Sequence, residues 1–213
     1  MSETLLLERH GSVAVLTLNR PQQRNALNTE LRDAISAAFD SLASDGSVSV
    51  AVVTGNGPVF CAGFDLKEFD KTPMQEVFAG ESSRRYHEAL RTFPKPLVAA
   101  VNGSAMAGGF DIVAFCDLRV ASTAAAFGHP EIRFGSGVMY GPLADLIGAA
   151  RASEIVFRGE PIDAQEALRI GLLTRVVPPE ELLPTALAVA NEIARSPLSA
   201  LQSVKQAVIA RRS

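Results

Sequence analysis

The chain contains no tryptophan, two cysteines, three histidines and no surplus of basic charge. Each shortage excludes something. Cys61 and Cys116 are too few for a disulfide scaffold, and both stand in apolar surroundings. His10, His87 and His129 are scattered and neither CxxC nor HExxH occurs, so no metal site is expected. Twenty Lys and Arg against 23 Asp and Glu give a formal charge of −3, which offers no basic field to nucleic acid. No apolar run approaches the roughly eighteen residues of a membrane span, and Met1 to His10 lacks a basic region followed by a long apolar stretch. Membrane insertion and classical secretion are therefore disfavoured, and a cytoplasmic location is expected. What is present is a chain of 213 residues, 47% hydrophobic and 20% charged, which predicts one ordered domain with a sizeable core.

Strand-like and helix-like segments alternate. Ser12 to Leu18 reads as a strand with Val13 and Val15 on one face and Ala14, Leu16 and Leu18 on the other. Asn28 or Thr29 can cap a helix whose stripe is Leu31, Ile35, Phe39 and Leu42. Val48 to Thr54 and Leu97 to Val101 are apolar throughout, the pattern of strands buried on both faces. The polar stretch from about Lys67 to Glu81 reads as a mobile connection, and a helix is expected around Ser82 to Arg91. Gly108 to Phe115 begins a helix, Leu118 to Ala121 is a further strand, and the chain beyond Gly141 is mostly helical. There Asp163 and Glu166 form a capping box ahead of Ala164 to Leu168, and two helices, Glu180 to Arg195 and Pro197 to Arg211, close the chain. Alternation of this kind predicts an α/β fold.

Two loops carry the chemistry. Phe60-Cys61-Ala62-Gly63-Phe64-Asp65-Leu66 and Val101-Asn102-Gly103-Ser104-Ala105-Met106-Ala107-Gly108-Gly109-Phe110-Asp111 each follow an apolar run and place small residues before a helix start. Backbone N–H groups there cannot be satisfied within the helix. Familiar glycine motifs do not account for them. Gly55-Asn56-Gly57 meets Phe60 where the dinucleotide fingerprint needs glycine, and Gly103 to Gly108 is followed by Gly109-Phe110 where a phosphate loop needs Lys and Ser or Thr. No G-x-S-x-G elbow is present. Taken singly, the first loop is also compatible with a tight turn, and the second with close packing of a helix through its small residues.

Together the two loops resemble the crotonase superfamily, the enoyl-CoA hydratases and isomerases. The resemblance runs along nearly the whole chain. It includes Leu18-Asn19-Arg20-Pro21, Arg24-Asn25-Ala26-Leu27, Val52-Val53-Thr54-Gly55, Phe127-Gly128-His129-Pro130-Glu131-Ile132, Gly171-Leu172-Leu173 and Val176-Val177. It implies a crotonase (ClpP/crotonase-like) spiral of ββα units forming two roughly perpendicular sheets. A single domain over residues 1–213 is expected, with a core over about 1–160 and a helical part over about 161–213.

The resemblance also implies a site. The backbone N–H groups of Phe64 and Gly108 would form an oxyanion hole for the thioester oxygen, and Asp111 and Glu131 would be the catalytic carboxylates. Coenzyme A would be met by Arg24 and Lys67 near its phosphates, and by backbone at Ala26, Ala62, Asp65 and Leu66. No cofactor is implied, because coenzyme A belongs to the acyl-CoA substrate. Asp111 also suits the first turn of a helix as a partner for its dipole. Related hydratases carry Glu in its place, one methylene longer. A further departure is Gly135-Ser136-Gly137-Val138-Met139-Tyr140-Gly141-Pro142, from which Tyr140 is expected either to enter the pocket as a donor or to pack as an amphipathic residue. The family usually continues past the helix containing Lys205, so an open pocket, or one covered by a neighbouring subunit, is expected. Enoyl-CoA hydration is the expected activity, in a homotrimer or dimer of trimers. The alternatives are a Δ3,Δ2-enoyl-CoA isomerase or other crotonase-type enzyme relying on Glu131, and an acyl-CoA-binding protein without turnover.

Overall fold

The computed structural model describes residues 3–212. Strand β1 (Leu5–His10) turns through Gly11, at φ +62°, and pairs antiparallel with β2 (Val13–Leu18). The side chains of β2 divide as their alternation predicts. Val13 and Val15 join one apolar cluster, and Ala14, Leu16 and Leu18 join another on the opposite face. Helix α1 (Thr29–Ser44) follows, and the Asn28 side chain accepts the Leu31 N–H at 3.0 Å.

A ββ pattern then recurs three times. The first pair is β3 (Val50–Gly55) and β4 (Val59–Cys61), followed by α2 (Leu66–Phe69), α3 (Met74–Ala79) and α4 (Glu81–Thr92). The second is β5 (Leu97–Val101) and β6 (Ser104–Met106), followed by α5 (Gly108–Phe115). The third is β7 (Leu118–Ser122) and β8 (Ala126–Gly128), followed by a short 3₁₀ helix at Pro130–Phe134 and then α6 (Tyr140–Ile147). The remainder is α7 (Ala149–Arg158), β9 (Ile162–Asp163), α8 (Ala164–Arg169), β10 (Arg175–Val177), α9 (Leu182–Ile193) and α10 (Leu198–Arg211).

The first strand of every pair enters one sheet and the second enters another. The larger sheet has the order β1-β2-β3-β5-β7-β10, the smaller β4-β6-β8-β9. Pairing is parallel between β3, β5 and β7, and between β4, β6 and β8. This is the expected spiral of repeated units. Helix α9 closes the outer face of the larger sheet with Leu182, Ala186 and Val189 against Val52, Val98 and Val120. Both faces of β3 and β5 are thereby buried, which explains their unbroken apolar runs. Lys205 anchors α10 by an ion pair to Asp117 at 2.5 Å.

Two expectations change. The stretch from Lys67 to Glu81 is not a loose connection: it holds α2, α3 and the first residue of α4. Asp65 caps α2, and Phe78 packs edge-on against Phe64 and Phe69, so a few aromatics order a segment that is polar on average. The C-terminal third is also more than helices, since β9 and β10 extend both sheets. Among the described residues no helix is long and apolar enough to cross a membrane.

Candidate active site

The smaller sheet aligns the site. Cys61, Ala105 and Phe127 lie in one row across the parallel strands β4, β6 and β8. Three or four residues past that row come Phe64, Gly108 and Glu131. Three loops thus leave neighbouring strand ends together, the position at which parallel α/β sheets commonly bind ligands.

After β4 the chain turns at Gly63, with φ +91°. A Cβ there would lie 2.7 Å from the Ala107 Cβ and 3.3 Å from the Gly108 nitrogen, so only glycine lets the first loop rest on the second. Phe64 bridges to Leu27, but the bonds belong to its neighbours. The Leu27 N–H donates to Gly63 O at 2.8 Å and the Asp65 N–H to Leu27 O at 3.3 Å. The alternation of an extended chain therefore turns the Phe64 N–H away from Leu27. Its ring is fixed by Phe78 and by the Arg32 guanidinium, 4.9 Å over the ring centroid.

After β6, Ala107 takes φ +52° and ψ −127°, a conformation that strains any residue with a side chain. It reverses the chain so that α5 begins at Gly108. The N–H of Gly108, in the first helical turn, has no acceptor within the helix. Strain at Ala107 gives a direct expectation. Ala107→Gly should stabilise the protein by about 1 kcal/mol, the relief of strain being partly offset by the entropy of an added glycine. Denaturant midpoints of the two proteins check it.

Asp111 is buried on the first turn of α5, where burial pushes its carboxyl up to about 7. The nearby His129 pulls in the opposite sense, and Glu131 raises it further. A folded value near 7 against an ordinary 3.8 means the unfolded chain gives up this proton first. Stability from this group is therefore lost as pH rises from about 4 to about 7, and the penalty is complete above that. Asp111→Asn is expected to stabilise the fold at pH 8 by up to about 4 kcal/mol, with the gain vanishing below about pH 4. Paired thermal melts across that range check both the size and the window.

Glu131 follows Pro130 in the 3₁₀ helix. One carboxylate oxygen, Oε1, meets the His129 Nδ1 at 2.9 Å, while Oε2 is buried with no protein partner among the described residues. The His129 Nε2 faces Asp111 Oδ1 at 3.9 Å. The two acids thus stand on either side of one imidazole, which makes His129 the residue that sequence reading overlooked. Its signal was there, inside the Phe127 to Ile132 motif, but its motif position had no role attached.

The proposed coenzyme-contact residues gather on one edge. Ala62 N–H donates to Arg24 O at 3.1 Å, which brings the 24–27 and 62–65 loops side by side, and Arg24, Leu66 and Lys67 are exposed there. The Ala26 carbonyl already accepts from Asn28 N–H and from Arg20. Asp65 is buried, paired to Arg20 at 2.9 Å and capping the Lys67 N–H, so its side chain serves the loop. Asn25, fully buried at φ +54°, donates to Asn56 O and Val59 O and accepts from Arg20 N–H. That bonding gives Asn25, within the Arg24 to Leu27 motif, a structural role. Tyr140 directs its hydroxyl to Ala149 O and Ser153 Oγ at 3.1 Å, on α7. Among the described residues no cluster of three or more His, Cys, Asp or Glu could hold a metal ion.

Two backbone N–H groups on touching loops, beside two carboxylates, can hold one anionic oxygen and move protons next to it. Comparison with known proteins agrees in kind. The profile of the enoyl-CoA hydratase/isomerase family matches residues 8–213. The chain belongs to that family. The 2,3-dehydroadipyl-CoA hydratase of Escherichia coli is 40% identical over 213 residues, covering 98% of this chain and 82% of that protein. The short-chain-enoyl-CoA hydratase of Clostridium acetobutylicum is 37% identical over 209 residues, 96% of this chain and 80% of its own length. The crystal structure of an enoyl-CoA hydratase from Bacillus anthracis superposes with a TM-score of 0.91 at 32% identity, covering 96% of this chain and 82% of that one. The crotonase-type fold expected from the motifs is the fold observed.

Proposed function

We propose that this family member is an enoyl-CoA hydratase, adding water across the 2,3 double bond of an enoyl-CoA thioester. The observation that carries the reading is the delivery of Phe64, Gly108, Asp111 and Glu131 to one place by three adjacent strand ends. The thioester oxygen sits between the N–H groups of Phe64 and Gly108. As water adds at Cβ, the electron pair of the double bond moves through Cα onto that oxygen, giving an enolate held by both donors. Such a donor is typically worth about 3–4 kcal/mol in the transition state. Asp111 and Glu131 between them take one proton from the water and return one to Cα, so the pair ends as it began. No further cofactor is needed, since coenzyme A arrives with the substrate.

Arg24 and Lys67, exposed beside the loop pair, are the cations for its phosphates, and the backbone of Ala26, Ala62, Asp65 and Leu66 lies along the same edge. Copies of the chain are proposed to assemble as a trimer or pair of trimers, with the exposed rings of Phe134 and Phe157 (79% and 78% exposed) available for burial. Light scattering reads that mass directly.

The activity is tested with the purified protein and crotonyl-CoA, following the conjugated-thioester absorbance together with the mass of the product. Loss of absorbance with a gain of one water is expected. Binding of crotonyl-CoA with no hydration overturns the reading.

A further inference from the structure

We propose that His129 is a positioning residue of this site, holding Glu131 by one oxygen, presenting its other oxygen to the substrate and coupling the charge of Glu131 to that of Asp111. The inference rests on the hydratase reading for its catalytic meaning, but its physical content is separate.

His129 is 1% exposed and lies at the end of β8. Its ring stacks on Phe110, with centroids 4.9 Å apart, and Phe110 directly precedes Asp111 on α5. The imidazole therefore cannot swing away without opening the packing beneath the site. A carboxylate only accepts, so the 2.9 Å contact to Glu131 Oε1 assigns the hydrogen to Nδ1. That bond consumes Oε1 and leaves the buried Oε2 as the free oxygen of Glu131. On the other edge, 3.9 Å from Nε2 to Asp111 Oδ1 is too long for a hydrogen bond. It is short enough for the ring to act on the Asp111 carboxyl, which it lowers.

Cys61 on β4 and Tyr86 on α4 also interact with Asp111. Burial pushes the Cys61 thiol up to about 12 and the Tyr86 phenol well above its ordinary range, so both stay neutral. Neither competes with Asp111 for a proton near neutral pH. The influences on Asp111 have opposite signs, His129 lowering it and Glu131 raising it. Removing either one is therefore diagnostic.

The test follows Asp111 by NMR in protein carrying ¹³C-carboxyl aspartate, with Asp111→Asn identifying the signal. The wild-type signal should titrate near pH 7, move to higher pH in His129→Gln and to lower pH in Glu131→Gln. Gln at 129 can still donate to Glu131 but cannot carry charge. Kinetically, His129→Gln should lower kcat for crotonyl-CoA about tenfold with little change in KM, and the pH limb of the rate should shift with the NMR midpoint. His129→Ala, which removes the donor as well, should lose about a hundredfold in kcat. A midpoint unmoved in a folded His129→Gln protein overturns the proposal. Should that variant not fold, an unmoved midpoint in Glu131→Gln overturns it equally, without touching the ring. Wild-type protein that fails to hydrate crotonyl-CoA while the midpoints still move refutes the hydratase reading and supports the coupling.

Discussion

Glu131→Gln should lower kcat for crotonyl-CoA hydration by about 10³–10⁴-fold, the upper part of the range for a positioned acid or base. The amide oxygen can still accept from the His129 Nδ1, so the ring and the 3₁₀ helix keep their places. What disappears is a basic oxygen beside the thioester. KM and the affinity for crotonyl-CoA should hardly change, because the proposed oxyanion donors and the proposed coenzyme edge lie on other loops. Steady-state kinetics together with calorimetric binding separates these effects. Wild-type turnover in the variant would remove Glu131 from the chemistry. If instead Asp111→Asn is tolerated while Glu131→Gln is inactive, and a 3-enoyl-CoA is converted to the 2-enoyl isomer, the single-carboxylate isomerase replaces the hydratase.

Gly109→Ala is expected to produce the largest loss of stability, about 3 kcal/mol or more, or no folded protein at all. A Cβ at Gly109 would lie 2.3 Å from the Cys61 carbonyl oxygen and 2.7 Å from the Cys61 Cβ. The first contact is with backbone of β4, where Cys61 is paired to Ala105 of β6 and cannot readily step aside. Any relief must come from α5 moving outward, and that shift would carry Gly108 and Asp111 away from Phe64 and His129. Activity should therefore fall with stability in whatever fraction folds. Gly137→Ala is the control, since a Cβ there meets nothing within 4 Å. Urea midpoints of the three proteins decide the matter. A Gly109→Ala protein as stable as wild type would show that β4 and α5 are not locked together.

Small residues therefore serve two purposes in the second loop. Gly109 makes close packing of α5 on β4 possible, and Gly108 presents its amide beside the first loop. The sequence leaves packing and function both open for Ala107 to Gly109, and the structure shows the packing role at Gly109. The positive φ of Ala107 was not legible in advance, because alanine carries no signature of that conformation. It persists because β6 before it and α5 after it are both fixed by their own packing.

Local pattern by itself determined a good deal of this protein. The two-residue period of β2, the apolar runs of β3 and β5, the cap at Asn28 and the glycine turn after β4 are all short-range features, and each predicts what is observed. The family motifs likewise bring Phe64, Gly108, Asp111 and Glu131 forward from sequence. Only the tertiary structure decided the rest. Strand order places β4, β6 and β8 side by side, though 43 residues of chain lie between Cys61 and Ala105 and 21 between Ala105 and Phe127. It sets Arg20 on Asp65, 45 residues away, and Arg32 over Phe64. It also sets His129 between two carboxylates that no spacing rule connects. Periodicity reports which face of an element is buried, whereas the charge state of a buried acid depends on which groups other elements bring against it.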